Sequence, residues 1–161
     1  MPAFDITCEV DRNEVNNATN QARKELQTRF DFKGAKWEMV EEKNTITLSA
    51  ESEFRLRAVL EIVRDKLSRR GVNPKNVDEG KIEISSAGRA RQVLTLKEGI
   101  PAEVAKTITT SIRGSGLKVQ PTVEGGKVRV AGKKRNDLQA AIAHVRGLDL
   151  PLAVEFGNFR E

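Results

Sequence analysis

Three short segments hold the side chains best suited to chemistry with an anion or a base. Arg29-Phe30-Asp31-Phe32-Lys33 and Phe156-Gly157-Asn158-Phe159-Arg160 each set a cation beside aromatic rings. Such a pair can stack on a purine while arginine grips a phosphate or a guanine edge through two parallel hydrogen bonds. The alternative is that the rings pack the ends of a domain, since exposed phenylalanine is uncommon without a reason. Lys133-Lys134-Arg135 is the densest basic run. It opens a predicted helix, where cations oppose the helix dipole and a bound anion would relieve a local cost. Lys133, Lys134 and Arg135 are therefore assigned to phosphate, and Arg29, Phe30, Phe32, Phe159 and Arg160 to base contact.

Catalysis finds no comparable support. The chain contains no phosphate-binding Gly-x-x-x-x-Gly-Lys-Ser/Thr loop, no Gly-x-Ser-x-Gly elbow and no Cys-x-x-Cys pair. One histidine and one cysteine cannot supply the usual nucleophile–base pair or zinc ligand set. His144 flanks the apolar stripe of a predicted helix and reads as a partly buried structural residue. Cys8 shares a strand face with Phe4, Ile6 and Val10 and reads as a buried, inert thiol. The expectation is a protein with no catalytic residue, no metal ligand and no cofactor.

The elements that would carry these residues follow from periodicity. Alternation at 4–10 predicts a strand, and Asp11 followed by Glu14 a capped helix start. A helix to about Phe30, strands at 35–41 and 45–50 and a helix at 53–70 complete the first half. Residues 72–80 read as a linker, followed by a hairpin of strands at 81–86 and 91–97. The second half repeats the order: helix 101–113, strands 117–124 and 127–131, helix 135–146, and a strand near 152–156. Residues 44–64 align without a gap on 126–146, and Leu56, Ala58, Val63 and Arg64 fall on Leu138, Ala140, Val145 and Arg146. The pattern predicts an α+β chain of two tandem ferredoxin-like βαββαβ sandwiches, each an antiparallel four-stranded sheet with two helices on one face. The division is expected at 1–88 and 89–161, and the short hairpin leaves room for terminal strands to be exchanged between the units.

Residues 1–80 carry 14 Lys+Arg against 15 Asp+Glu, and residues 81–161 carry 14 against 8, so an anionic partner is expected at the second half. There, alternation turns Leu94, Leu96, Leu117, Val119, Val123, Val128 and Val130 toward the helices. Arg91, Lys97, Lys118, Gln120, Thr122, Lys127 and Arg129 fall on the opposite face. With no carboxylate among them they predict a phosphate-attracting platform, the alternative being a solvated strand surface. The first unit exposes Lys36, Glu38, Thr45, Thr47 and Ser49, a nearly neutral set. No phenylalanine or tryptophan lies between residues 55 and 155, which disfavours base stacking on the second sheet. No stretch has the apolar length of a membrane span and no signal peptide is evident, so a cytoplasmic protein without a membrane partner is expected.

Phe4-Asp5-Ile6, the 29–33 segment, Asp137-Leu138-Gln139-Ala140 and Asn158-Phe159-Arg160 closely resemble the bacterial YajQ family, in order and over essentially the whole chain. The resemblance implies two βαββαβ domains of the fold common in RNA-binding proteins, and cytoplasmic nucleotide binding without known catalysis. It further implies a guanine nucleotide, a cyclic dinucleotide such as cyclic di-GMP, or RNA (a tRNA-like polyanion) as ligand, with a regulatory protein or DNA as a downstream partner. The second reading is a protein-interaction adaptor with weak or no nucleotide binding.

Overall fold

The alternating segments pair into two antiparallel sheets, each covered by two amphipathic helices on one face. A computed structural model describes residues 1–161, the side chain of Phe30 excepted. In chain order the elements are β1 (Ala3–Thr7), α1 (Arg12–Thr28), β2 (Trp37–Glu42), β3 (Thr45–Ala50), α2 (Glu53–Arg69), β4 (Val77–Glu79), β5 (Glu83–Ile84), β6 (Ala90–Leu96), α3 (Ala102–Gly114), β7 (Val119–Glu124), β8 (Lys127–Gly132), α4 (Arg135–Arg146) and β9 (Glu155–Arg160). The architecture is two ferredoxin-like sandwiches.

Local chemistry explains where the helices begin. Asp11 accepts a hydrogen bond from the Asn13 amide at 2.9 Å and Ser52 one from the Arg55 amide at 3.2 Å, satisfying first-turn donors of α1 and α2. α2 buries Leu56, Val59, Leu60, Val63 and Leu67, the stripe its 3.6-residue period dictates.

The strand partners depart from a simple tandem order. One sheet runs β7-β8-β1-β9 and the other β2-β3-β6-β4, with β5 also on β6. β1 precedes α1, yet it pairs with β8 and β9. β6 precedes α3, yet it pairs with β3, β4 and β5. Each sheet thus places at its centre the strand that sequence order would assign to the other. The compact units are residues 10–97 and residues 1–9 with 98–161, and the expected cut between 88 and 89 falls in the turn joining β5 to β6. Residues 72–80 are no linker either: Val72 and Asn76 are buried and Val77–Glu79 form β4.

Each unit has its own core. Phe4, Ile6, Ile108, Ile112, Val128, Val130 and Val145 are buried in the terminal unit, and Leu26, Ile46, Leu48, Leu56, Val63 and Leu94 in the inserted one. Among the described residues no helix is long and apolar enough to cross a membrane.

The exchange also redistributes charge. The inserted unit, 10–97, holds 18 Lys+Arg against 14 Asp+Glu, a net of +4; the terminal unit holds 10 against 9, a net of +1. The basic second unit expected from sequence order is therefore corrected. Lys81, Arg89, Arg91 and Lys97 belong with the first helices, while Asp5 and Glu9 join the last.

Candidate functional site

β8 carries Lys127 and Arg129 on the face away from the helices, with Val128 and Val130 buried on the opposite face. Across the sheet Arg129 is paired in register with Asp5 of β1 and Thr122 of β7. Asp5 is only 2% exposed, although it lies on the open face. Its carboxylate accepts from Asn158 Nδ2 at 2.7 Å, Arg160 Nη2 at 3.3 Å and Lys127 Nζ at 3.4 Å. Burial alone would raise its pKa, but the hydrogen bonds from Asn158 and Arg160, the Arg160 charge and the Lys127 bond together hold it below 3.8. Glu124 lies 3.9 Å from Arg129. The carboxylate-free platform is thus corrected, because the exchanged strand β1 inserts an acid at its centre. Lys118 is exposed just ahead of β7. Arg91 lies in the other sheet, opposite Ser49 and Glu83.

The aromatic–basic segment 29–33 folds largely inward. Phe32 is 3% exposed and belongs to the core of the inserted unit, so its assignment to base contact is corrected. Arg29 is held by Asp31 through two bonds of 3.0 and 2.8 Å, and its guanidinium and that of Arg55 lie 5.5 Å from the Phe32 ring. The Asp31 carboxylate is held below the usual range by its bond to Arg29. Phe30 lies outside the described side chains. Phe54, which the periodicity left unassigned, is 76% exposed beside Arg55; its place off the α2 stripe is the signal that could have singled it out.

The other two segments converge. β9 extends to Arg160, and the left-handed backbone of Asn158 (φ 53°) coincides with a register shift against β1. Strict alternation would send Phe156 and Phe159 to opposite faces. The irregularity instead brings both rings to Phe4, at 6.1 and 5.8 Å. Phe156 is further covered by Arg146 at 5.3 Å, whereas Phe159 stays 57% exposed. Beside it, α4 starts at Arg135 with Lys134 as its N-cap residue and no side chain bonding its first amides.

Between that helix start and β9 lies a cleft of about 310 Å³, lined by Pro2, Ala3, Arg135, Leu138, Gln139, Phe159, Arg160 and Glu161. Arg135 bonds Glu161, which raises the guanidinium pKa further. Lys133 and Lys134 are exposed beside it and enter no ion pair among the described residues. An open ring, a fork-shaped cation, an amide and a carboxylate can together stack a base, bond its edge and hold a phosphate.

Two quieter residues also have places. His144 shares a 2.8 Å hydrogen bond with Ser111, tying α4 to α3, and Cys8 is fully buried. Among the described residues no group of three or more His, Cys, Asp or Glu is arranged to hold a metal ion.

Comparison with known proteins matches residues 2–160 to the family described as "Nucleotide-binding protein YajQ-like". Among similar curated proteins, one from Anaeromyxobacter dehalogenans (strain 2CP-C) is 46% identical over the full length of both chains. Another, from Desulforamulus reducens, is 47% identical over 98% of this chain and 96% of its own. A third, from Trichlorobacter lovleyi, is 43% identical over all of both chains. All three are named nucleotide-binding proteins. With the family model covering the chain almost end to end, this protein belongs to the YajQ family.

Proposed function

We propose that the protein binds a nucleotide without transforming it, in the cleft between the start of α4 and β9. The observation that carries this reading is the meeting of Phe159, half open to solvent, with Arg135, Arg160 and Gln139 around one cavity. The relatives' name, nucleotide-binding protein, supplies the ligand class. The cleft volume is at the low end of small-molecule sites, roughly 300 Å³ and upward. One base therefore fits inside, and phosphates would lie toward Lys133 and Lys134 at the uncapped helix start. A carboxylate acceptor such as Glu161 suits the N–H edge of guanine, which favours a guanine nucleotide or cyclic dinucleotide. RNA would use the same cations for its backbone. Lys127 and Arg160 are engaged by Asp5 and contribute less.

Calorimetric titration with GTP, cyclic di-GMP and a short RNA tests the reading. Phe159→Ala and Arg135→Ala should each weaken nucleotide binding by about 5- to 150-fold, the equivalent of about 1–3 kcal/mol for a stacked base or a charged hydrogen bond. Affinity equal to that of the unmodified chain in both variants would remove the cleft as the site. Turnover of a bound nucleotide would overturn the non-catalytic part.

A further inference from the structure

The outer strands of the two sheets carry the same device at the same place. In the inserted unit Arg23 of α1 donates from Nη2 to the Met39 carbonyl of β2 at 2.9 Å. In the terminal unit Arg113 of α3 donates from Nη2 to the Pro121 carbonyl of β7 at 3.4 Å. Met39 and Pro121 are equivalent under the shift of 82 that relates the repeats, and their register partners, Leu48 and Val130, obey the same shift. Proline tolerates a strand only where no ladder bond is asked of its nitrogen, and in an antiparallel strand the N–H and C=O of one residue point the same way. Position 121, and by equivalence position 39, therefore turns its backbone outward from the sheet. The guanidinium occupies the carbonyl that an added strand would need.

The two edges differ in one respect. Pro121 has no N–H to offer, so β7 stays a poor template without Arg113. Met39 keeps its N–H, and among the described residues its carbonyl is met by the Arg23 side chain. Glu41, the next residue of β2 with this outward orientation, is held by Arg23 at 3.3 Å and by Thr19.

We propose that β2 is a strand-addition surface for a second copy of this chain, kept closed by Arg23. Antiparallel self-pairing centred on Met39 would let the two Met39 residues exchange both backbone hydrogen bonds. It would also set Lys36 opposite Glu42 twice on the open face. Both side chains are exposed, and neither enters an ion pair among the described residues. Opposite charges directly across a strand pair are favourable and like charges are not. Exposed edges of this kind are the ordinary route to edge-to-edge association, and a charged side chain laid over the edge is a known defence.

Arg23→Met keeps the aliphatic stem and removes the donor; its mass by light scattering during size exclusion should double as concentration rises. The unmodified chain, Arg23→Lys and Arg113→Met should keep one common mass over that range. Adding Glu42→Lys to Arg23→Met should restore that mass, because Lys36 would then face lysine. Circular dichroism checks the fold, and if the Met variant fails to fold, Arg23→Gln is read in the same way. A folded Arg23 variant that retains the unmodified mass overturns the proposal, as does association that Glu42→Lys leaves intact.

Discussion

Asp5 decides what the open face of the terminal sheet can offer an anion. It draws Lys127 and Arg160 onto itself, so its single charge partly offsets those two cations before any ligand meets them. Asp5→Asn should cost roughly 1–3 kcal/mol at neutral pH, because it removes the acceptor charge and leaves two cations poorly paired. The folded pKa lies below the ordinary 3.8, so this stability is fully present above 3.8 and is lost as pH falls through the folded value. The difference between the two proteins in urea denaturation should therefore shrink in acid, and a difference independent of pH would contradict the assignment. The phenylalanines separate in the same way. Phe32→Ala should cost about 3–5 kcal/mol as a core deletion, while Phe54→Ala should stay within about 0.5 kcal/mol. Thermal melts compare them directly, and equal losses would mean that exposure misjudges one of the two.

At the scale of elements, periodicity located all four helices to within about two residues, because cap chemistry and a 3.6-residue stripe are local properties. Sheet membership is not local. β1 and β6 are both short alternating strands that precede a helix, and either fits the slot that the other fills, so alternation alone could not assign them. The same limit placed Arg91 with the terminal sheet, although its strand pairs with β3 and β5. The strand expected near 152–156 falls early, since β9 runs Glu155–Arg160 and the irregularity at Asn158 breaks the period of two that marks a strand; with it went the convergence of Phe159 on Arg135. Phe32 and Phe159 stand in similar local patterns, and only the tertiary fold buries one and opens the other. The exchange makes a direct prediction about fragments. Residues 10–97 contain every strand of their sheet and should melt cooperatively alone. Residues 98–161 lack the central β1 and should not fold without residues 1–9. A cooperative melt from 98–161 alone would contradict this topology.

For the whole molecule, net charge does not point to the site. The unit with the proposed cleft is the less basic of the two, +1 against +4. What favours it is local: three consecutive cations at an uncapped helix start beside an open aromatic ring. A small nucleotide held partly by stacking should lose little affinity as ionic strength rises, whereas RNA held by phosphates should lose it steeply. The most direct test is to follow backbone amide resonances during titration with a guanine nucleotide. The account predicts saturable shifts at Arg135, Asn136, Gln139 and Phe159. Shifts confined to residues 10–97, with these four unmoved, would contradict it.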